Sequence, residues 1–145
     1  MRIRFTLIFM GMLLGGNLAF QPQALAGEKA ESPVQIPATA AAVWQAMDQQ
    51  SAALGKAIQT GAFAEVHHRA FAIRDLAAAL PARSGALPPD KLVRLKANVQ
   101  FVATLAQRLD ATGDAKDRPG TESNFRKLQQ VLTAIRANYP NTPRK

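Results

Sequence analysis

Residues 39–61 read TAAAVWQAMDQQSAALGKAIQTG, and this stretch has the pattern of an amphipathic helix. Its large apolar side chains recur at spacings of four, seven and four residues, so they share one helix face. They are Val43, Met47, Leu54 and Ile58, with Trp44 beside them. The Thr39 hydroxyl can accept an unpaired N–H group at the helix start. Gly61 accepts the left-handed conformation that ends a helix. The stretch therefore predicts a helix from about Thr39 to Thr60.

Three further segments repeat this helical periodicity, from about Ala62 to Leu80, from Pro88 to Leu109 and from Thr121 to Tyr139. Their apolar stripes are Phe63, Val66, Ala70, Ile73, Ala77 and Leu80; Leu92, Leu95, Val99, Val102, Leu105 or Ala106, and Leu109; and Phe125, Leu128, Leu132, Ile135 and Tyr139. No stretch alternates apolar and polar residues as a strand requires. Four such helices with short connections predict an all-α, up-down-up-down four-helix bundle over residues 39–139. A three-helix domain with one long broken helix is the alternative.

The connection before the fourth helix is predicted as a loop from Asp110 to Gly120, because it holds two glycines, a proline and three aspartates. Turn-forming and helix-capping roles explain aspartates in such a segment. The alternative is that Asp110, Asp114 and Asp117 bind a hard cation. Their spacing differs from that of a calcium hand, which places acids at positions 1, 3 and 5 before its glycine.

The first 26 residues have the pattern of a cleavable secretory signal peptide. Arg2 and Arg4 precede an apolar run over residues 5–14, and the segment ends in small residues, Ala24-Leu25-Ala26. The run is shorter than the ~20 residues that a membrane-spanning helix needs. Residues 27–38 are predicted to form an extended leader, either poorly ordered or laid along the surface, and residues 140–145 a polar tail. We therefore expect a periplasmic protein that is not an integral membrane protein.

Composition narrows the function classes further. The chain has no cysteine, which excludes disulfides, thiolate metal sites and covalent haem attachment. It carries 18 Lys and Arg residues against 10 Asp and Glu, a net charge of +8. These cations are scattered rather than clustered with aromatic residues, so we do not expect nucleic-acid binding. The motifs G-x-S-x-G and H-E-x-x-H and a phosphate loop are absent from the sequence, and we expect no enzymatic activity.

His67 and His68 are the two histidines of the chain. Imidazole is the commonest metal ligand, but adjacent helical residues diverge by about 100°, which argues against one ion binding both. The alternative is a structural role, in which His67 donates to a neighbour such as Asp110 or a carbonyl. In the predicted bundle the second helix begins, and the third ends, at the same pole. A site of mixed nitrogen and oxygen ligands, from His67 or His68 with Asp110 or Asp114, would suit zinc, nickel or cobalt.

Met47 is the one methionine beyond the predicted cleavage point. A methionine and a histidine on facing helices can hold haem iron. If the first turn centres near Gly61, Met47 and His67 are offset by seven residues, or ~10 Å along the helix axis. That offset separates them too far for ligands of one ion. Met47 is therefore predicted to fill the core, and haem is not an expected cofactor.

In size and helical pattern, residues 39–139 resemble small exported bundles of the cytochrome b562-like type. Met47 matches the placement of their haem methionine. The fourth helix of this chain has no histidine, so the resemblance does not extend to haem. The chain also resembles the small, cationic, cysteine-free periplasmic proteins of the Spy/CpxP type. Their L-T-x-x-Q motif is replaced by Leu132-Thr133-Ala134-Ile135-Arg136.

Two segments, Val66-His67 through Ile73-Arg74-Asp75-Leu76 and Leu109 through Asp114, resemble periplasmic proteins linked to metal stress or efflux. The resulting hypothesis is a non-enzymatic envelope protein that binds a divalent metal ion near His67 and Asp110, as a metal-stress or efflux accessory. The alternative is a chaperone-like or envelope interaction protein that uses a basic, apolar-edged helix face to contact an envelope protein partner.

Overall fold

The computed structural model describes residues 34–139; the predicted signal peptide, the start of the leader and the polar tail lie outside them. The described residues form four α-helices, joined between the second and third by a short 3-10 turn, Pro81–Arg83. The helices are α1 (Ala40–Thr60), α2 (Ala64–Ala79), α3 (Pro89–Asp114) and α4 (Arg118–Arg136). Over residues 34–139, none of the helices has the length and apolarity needed to cross a bilayer.

Successive helices run antiparallel, and α2 packs between α1 and α3 while α3 packs on α4. Contacts from both ends of α4 close the bundle against α1. The Arg118 guanidinium donates to the Ile58 carbonyl at 2.7 Å near the end of α1, and Arg136 pairs with Asp48 in the middle of α1. The prediction of an all-α, up-down-up-down four-helix bundle is therefore confirmed.

The core consists of the predicted stripes. Every stripe residue of α1 is buried, and those of α2, α3 and α4 are buried except for Phe63, Leu92, Phe125 and Tyr139, which pack partly buried against the core. Met47 is fully buried, as its predicted core role requires. Leu76 is a fully buried core residue that the periodicity of α2 did not indicate.

The ends of α1 also confirm the sequence interpretation. The Thr39 hydroxyl accepts a hydrogen bond from the Ala42 N–H at 3.2 Å, which satisfies one of the unpaired donors of the first turn. Gly61 has φ 76, and its N–H bonds to carbonyls of the last turn. Only glycine adopts this left-handed conformation without steric cost.

The predicted loop from Asp110 to Gly120 is wrong. Helix α3 continues through Asp114, and the turn is confined to residues 115–117, where Lys116 takes the positive φ of 53. Gly113 lies inside α3 rather than in the turn. A Cβ at this position would lie 3.1 Å from the Val66 side chain, so the missing side chain lets α2 and α3 approach closely. The Asp117 carboxylate then caps α4 by accepting from the Gly120 N–H at 3.0 Å. Helix α4 consequently begins three residues before its predicted start.

The described end of the leader, residues 34–38, lies along the bundle surface. Val34 and Ile36 pack partly buried against the core. Arg83 fixes the segment by donating from Nε to the Pro37 carbonyl at 2.6 Å. Of the two alternatives for the leader, this part therefore follows the surface.

The surroundings of Tyr139 predict how the free energy of unfolding changes with pH in the alkaline range. Its ring meets Trp44 edge-on and its hydroxyl lies 2.6 Å from the Ser84 Oγ. Burial raises the pKa of Tyr139 above its usual value of 10.0, against a smaller opposing effect of the Ser84 hydrogen bond. The folded state therefore holds this proton more tightly than the unfolded chain. Its contribution to stability is complete below pH 10 and is lost as the pH rises through the higher folded value.

We expect the free energy of unfolding, measured by urea denaturation, to fall more steeply above pH 10 in the wild-type protein than in Tyr139→Phe. The phenylalanine variant keeps the ring against Trp44 and removes the titrating hydroxyl. Parallel curves for the two proteins over this range would contradict the assignment.

Candidate functional site

Three of the four predicted ligands, His67, His68 and Asp110, lie together between the start of α2 and the end of α3. His67 Nδ1 lies 2.7 Å from Asp110 Oδ1. The two side chains are 42% and 27% exposed, so a solute can reach the pair. The contact joins the two residues that the sequence singled out as a metal site and, alternatively, as a structural hydrogen bond.

The close approach of α2 and α3 positions this pair. Gly113 packs against Val66, at the same level of the bundle where His67 follows Val66 on α2. Asp110 lies three residues before Gly113, which places it on the neighbouring turn of α3. Packing at Gly113 therefore sets the helix register that puts carboxylate and imidazole within hydrogen-bond distance.

The distance identifies the kind of contact between His67 and Asp110. Two atoms that bind one ion at 2.0–2.2 Å with a tetrahedral angle lie about 3.4 Å apart, so a 2.7 Å contact is a hydrogen bond rather than a shared coordination edge. Asp110 thus accepts from Nδ1–H, which makes Nε2 the lone-pair nitrogen in the neutral ring. Many metal-binding histidines are oriented by a carboxylate in this way.

His68 is closer to His67 than the helical divergence suggested. The two ring centroids are 5.5 Å apart, with the planes at 85°. The two rings are therefore in edge-to-face contact, although adjacent helical residues diverge by about 100°. Two imidazoles that share one ion through bonds of about 2.0–2.1 Å have centroids about 5 Å apart.

This pole extends along α2 to an aromatic ring, which the sequence analysis missed, and to the cation Arg74. The centroid of the His67 ring lies 4.6 Å from that of the Phe71 ring, and the Arg74 guanidinium lies over the Phe71 ring, 4.2 Å from its centroid. Asp75 accepts from Arg74 Nε at 2.8 Å. The spacings of four and three residues between His67, Phe71 and Arg74 were the available signal, since such residues are neighbours on a helix.

The remaining aspartates differ in their surroundings. Asp114 is the exposed last residue of α3, and Asp117 caps α4, as turn chemistry predicted. Among residues 34–139, no group of three His, Cys, Asp or Glu side chains is arranged to hold a metal ion. A metal at this pole would therefore have at most two direct ligands of these types, with the remaining coordination positions filled by other donors such as water.

No family model matches the chain, and neither a curated protein nor a solved structure shows significant similarity to it.

Proposed function

We propose that this is an exported, non-enzymatic protein that binds a divalent transition-metal ion in the bacterial periplasm. The 2.7 Å contact between His67 Nδ1 and Asp110 Oδ1 is the observation that carries the proposal. It orients a half-exposed imidazole, as a carboxylate partner does for many metal-binding histidines. Borderline ions such as copper, nickel and zinc favour imidazole nitrogen.

In this proposal His67 is the primary ligand, His68 is the second, and Asp110 is a hydrogen-bond partner rather than a ligand. Water completes the coordination shell, so the ion exchanges readily with solvent. A site with so few protein ligands suits the transient binding that an efflux or metal-stress accessory needs. It does not suit a structural metal, which is closed off by four protein ligands.

Removal of the Asp110 carboxylate tests this arrangement. We expect calorimetric titration of the apo protein with Cu²⁺, Ni²⁺ and Zn²⁺ to show saturable binding tighter than millimolar, with Cu²⁺ the tightest. Asp110→Asn should weaken that binding about 10- to 100-fold, the usual effect of removing an outer-shell partner.

The matched control is Asp90→Asn, which removes an aspartate from the opposite end of the same helix, where it pairs with Arg94 at 2.8 Å. It deletes the same charge and should leave the affinity within about twofold, because long-range surface charges are screened. Equal losses in both variants would show that binding follows net charge. No saturable heat with any of the three ions would reject the proposal.

A further inference from the structure

The exposed side of α3 carries apolar side chains that the bundle does not use. Across residues 34–139, the large apolar side chains that remain exposed are Val93, at 67%, and Phe101, at 60%. Ala97 is also exposed and lies between them at four-residue spacing. These three residues form what we call the α3 ridge. Core packing does not account for the exposed ridge, because other residues of the same helix, Leu95, Val99 and Val102, are the ones buried in the core.

Most charges around the ridge are positive; the acid closest to it along α3 is Asp90, which pairs with Arg94 at 2.8 Å. From Lys91 to Leu109 the chain has four Lys or Arg residues and no Asp or Glu. The neighbouring helix continues the pattern, since residues 123–139 hold three Lys or Arg residues and no acid. Lys96 and Arg108 on α3 are exposed. The described acids lie elsewhere, on α1, on α2, and at the two ends of α3 and the start of α4.

We propose that the α3 ridge binds an anionic phospholipid surface, so that the protein is peripherally attached to a membrane. Apolar side chains with flanking cations on one helix face are the pattern of interfacial helices. Lys and Arg near an anionic leaflet each strengthen binding, and Lys91, Lys96 and Arg108 remain to do so beside the paired Arg94 and Asp90. Phe101 is the one large aromatic side chain of the ridge. A lipid interface can accept such a ring without a preformed pocket, whereas a protein partner needs a pocket that matches it.

Binding to vesicles tests this proposal independently of the metal site. The full chain is expressed with export, its processed N-terminus is read by mass spectrometry, and it is sedimented with vesicles of phosphatidylglycerol and phosphatidylethanolamine. Pure phosphatidylcholine vesicles serve as the neutral surface. We expect binding to the anionic vesicles that weakens with added salt, and little binding to the neutral ones.

Two matched pairs of variants then locate the contact. Phe101→Ser should weaken vesicle binding by about tenfold or more, through loss of an apolar anchor, whereas Gln100→Ser on the adjacent exposed position should not. Lys96→Gln should cost about fivefold, whereas Lys56→Gln on α1, with the same net charge, should cost less. Equal binding to both vesicle types, or equal effects within each pair, would overturn the proposal. The proposal would also be overturned if the wild-type protein did not bind vesicles but self-associated in ultracentrifugation, and if Phe101→Ser abolished that self-association. This result would assign the ridge to a second copy of the chain.

Discussion

Leu109→Ala is expected to lower the free energy of unfolding by about 2–5 kcal/mol, the usual cost of a large-to-small change in a packed core. Leu109 is fully buried on α3 and belongs to the hydrophobic core. The alanine removes apolar contacts and leaves a cavity that rigid neighbouring helices fill only in part. Because the free energy of unfolding of a domain of this size is about 5–15 kcal/mol in total, this one change removes a large fraction of its stability.

The control for this prediction is Phe101→Ala on the same helix. Phenylalanine is the larger side chain, but 60% of it is exposed, so its truncation should cost well under about 1 kcal/mol. Urea unfolding followed by circular dichroism gives both values. An equal or larger loss for Phe101→Ala would show that the α3 ridge is buried in the folded protein and that the assignment of the α3 faces is wrong.

Helical periodicity was sufficient to predict the bundle, because one apolar stripe per helix determines which face each helix buries. It was insufficient at residues 110–120, where composition predicted a loop. Gly113 lies inside α3 because its missing side chain admits Val66, a contact between helices that no local pattern contains. Conversely Lys116, which has no turn preference, takes the left-handed conformation because the helices on either side of it determine the path of the chain.

Contacts between helices also limit what the sequence could predict about the candidate site. The antiparallel order of α2 and α3 was enough to place His67 near Asp110 at one pole. Which aspartate pairs with the histidine depends on the register of the two helices, and packing at Gly113 sets that register. The contact of Phe71 with His67 follows from side-chain rotamers as well as spacing, so the apolar stripe of α2 could not indicate it.

His67→Ala is expected to weaken metal binding by at least about 100-fold and to leave no saturable transition in the calorimetric titration with Cu²⁺. The variant removes the nitrogen ligand that Asp110 orients. His68→Ala leaves that oriented imidazole in place, with its 2.7 Å hydrogen bond to Asp110, and should retain measurable but weaker binding. The unequal losses distinguish a site organised by the carboxylate from one in which two equivalent surface histidines capture the ion.

A loss of fold must be separated from a loss of ligand, because the His67 ring also packs 4.6 Å from Phe71. His67→Phe keeps an aromatic ring at this position and removes both nitrogens. We therefore expect His67→Phe to keep the wild-type circular dichroism spectrum and to match His67→Ala in its failure to bind Cu²⁺. If His67→Phe bound the ion as the wild type does, or if His68→Ala were the more damaging change, the ion would not be held by Nε2 of His67. The hydrogen bond to Asp110 would then act only to join α2 to α3.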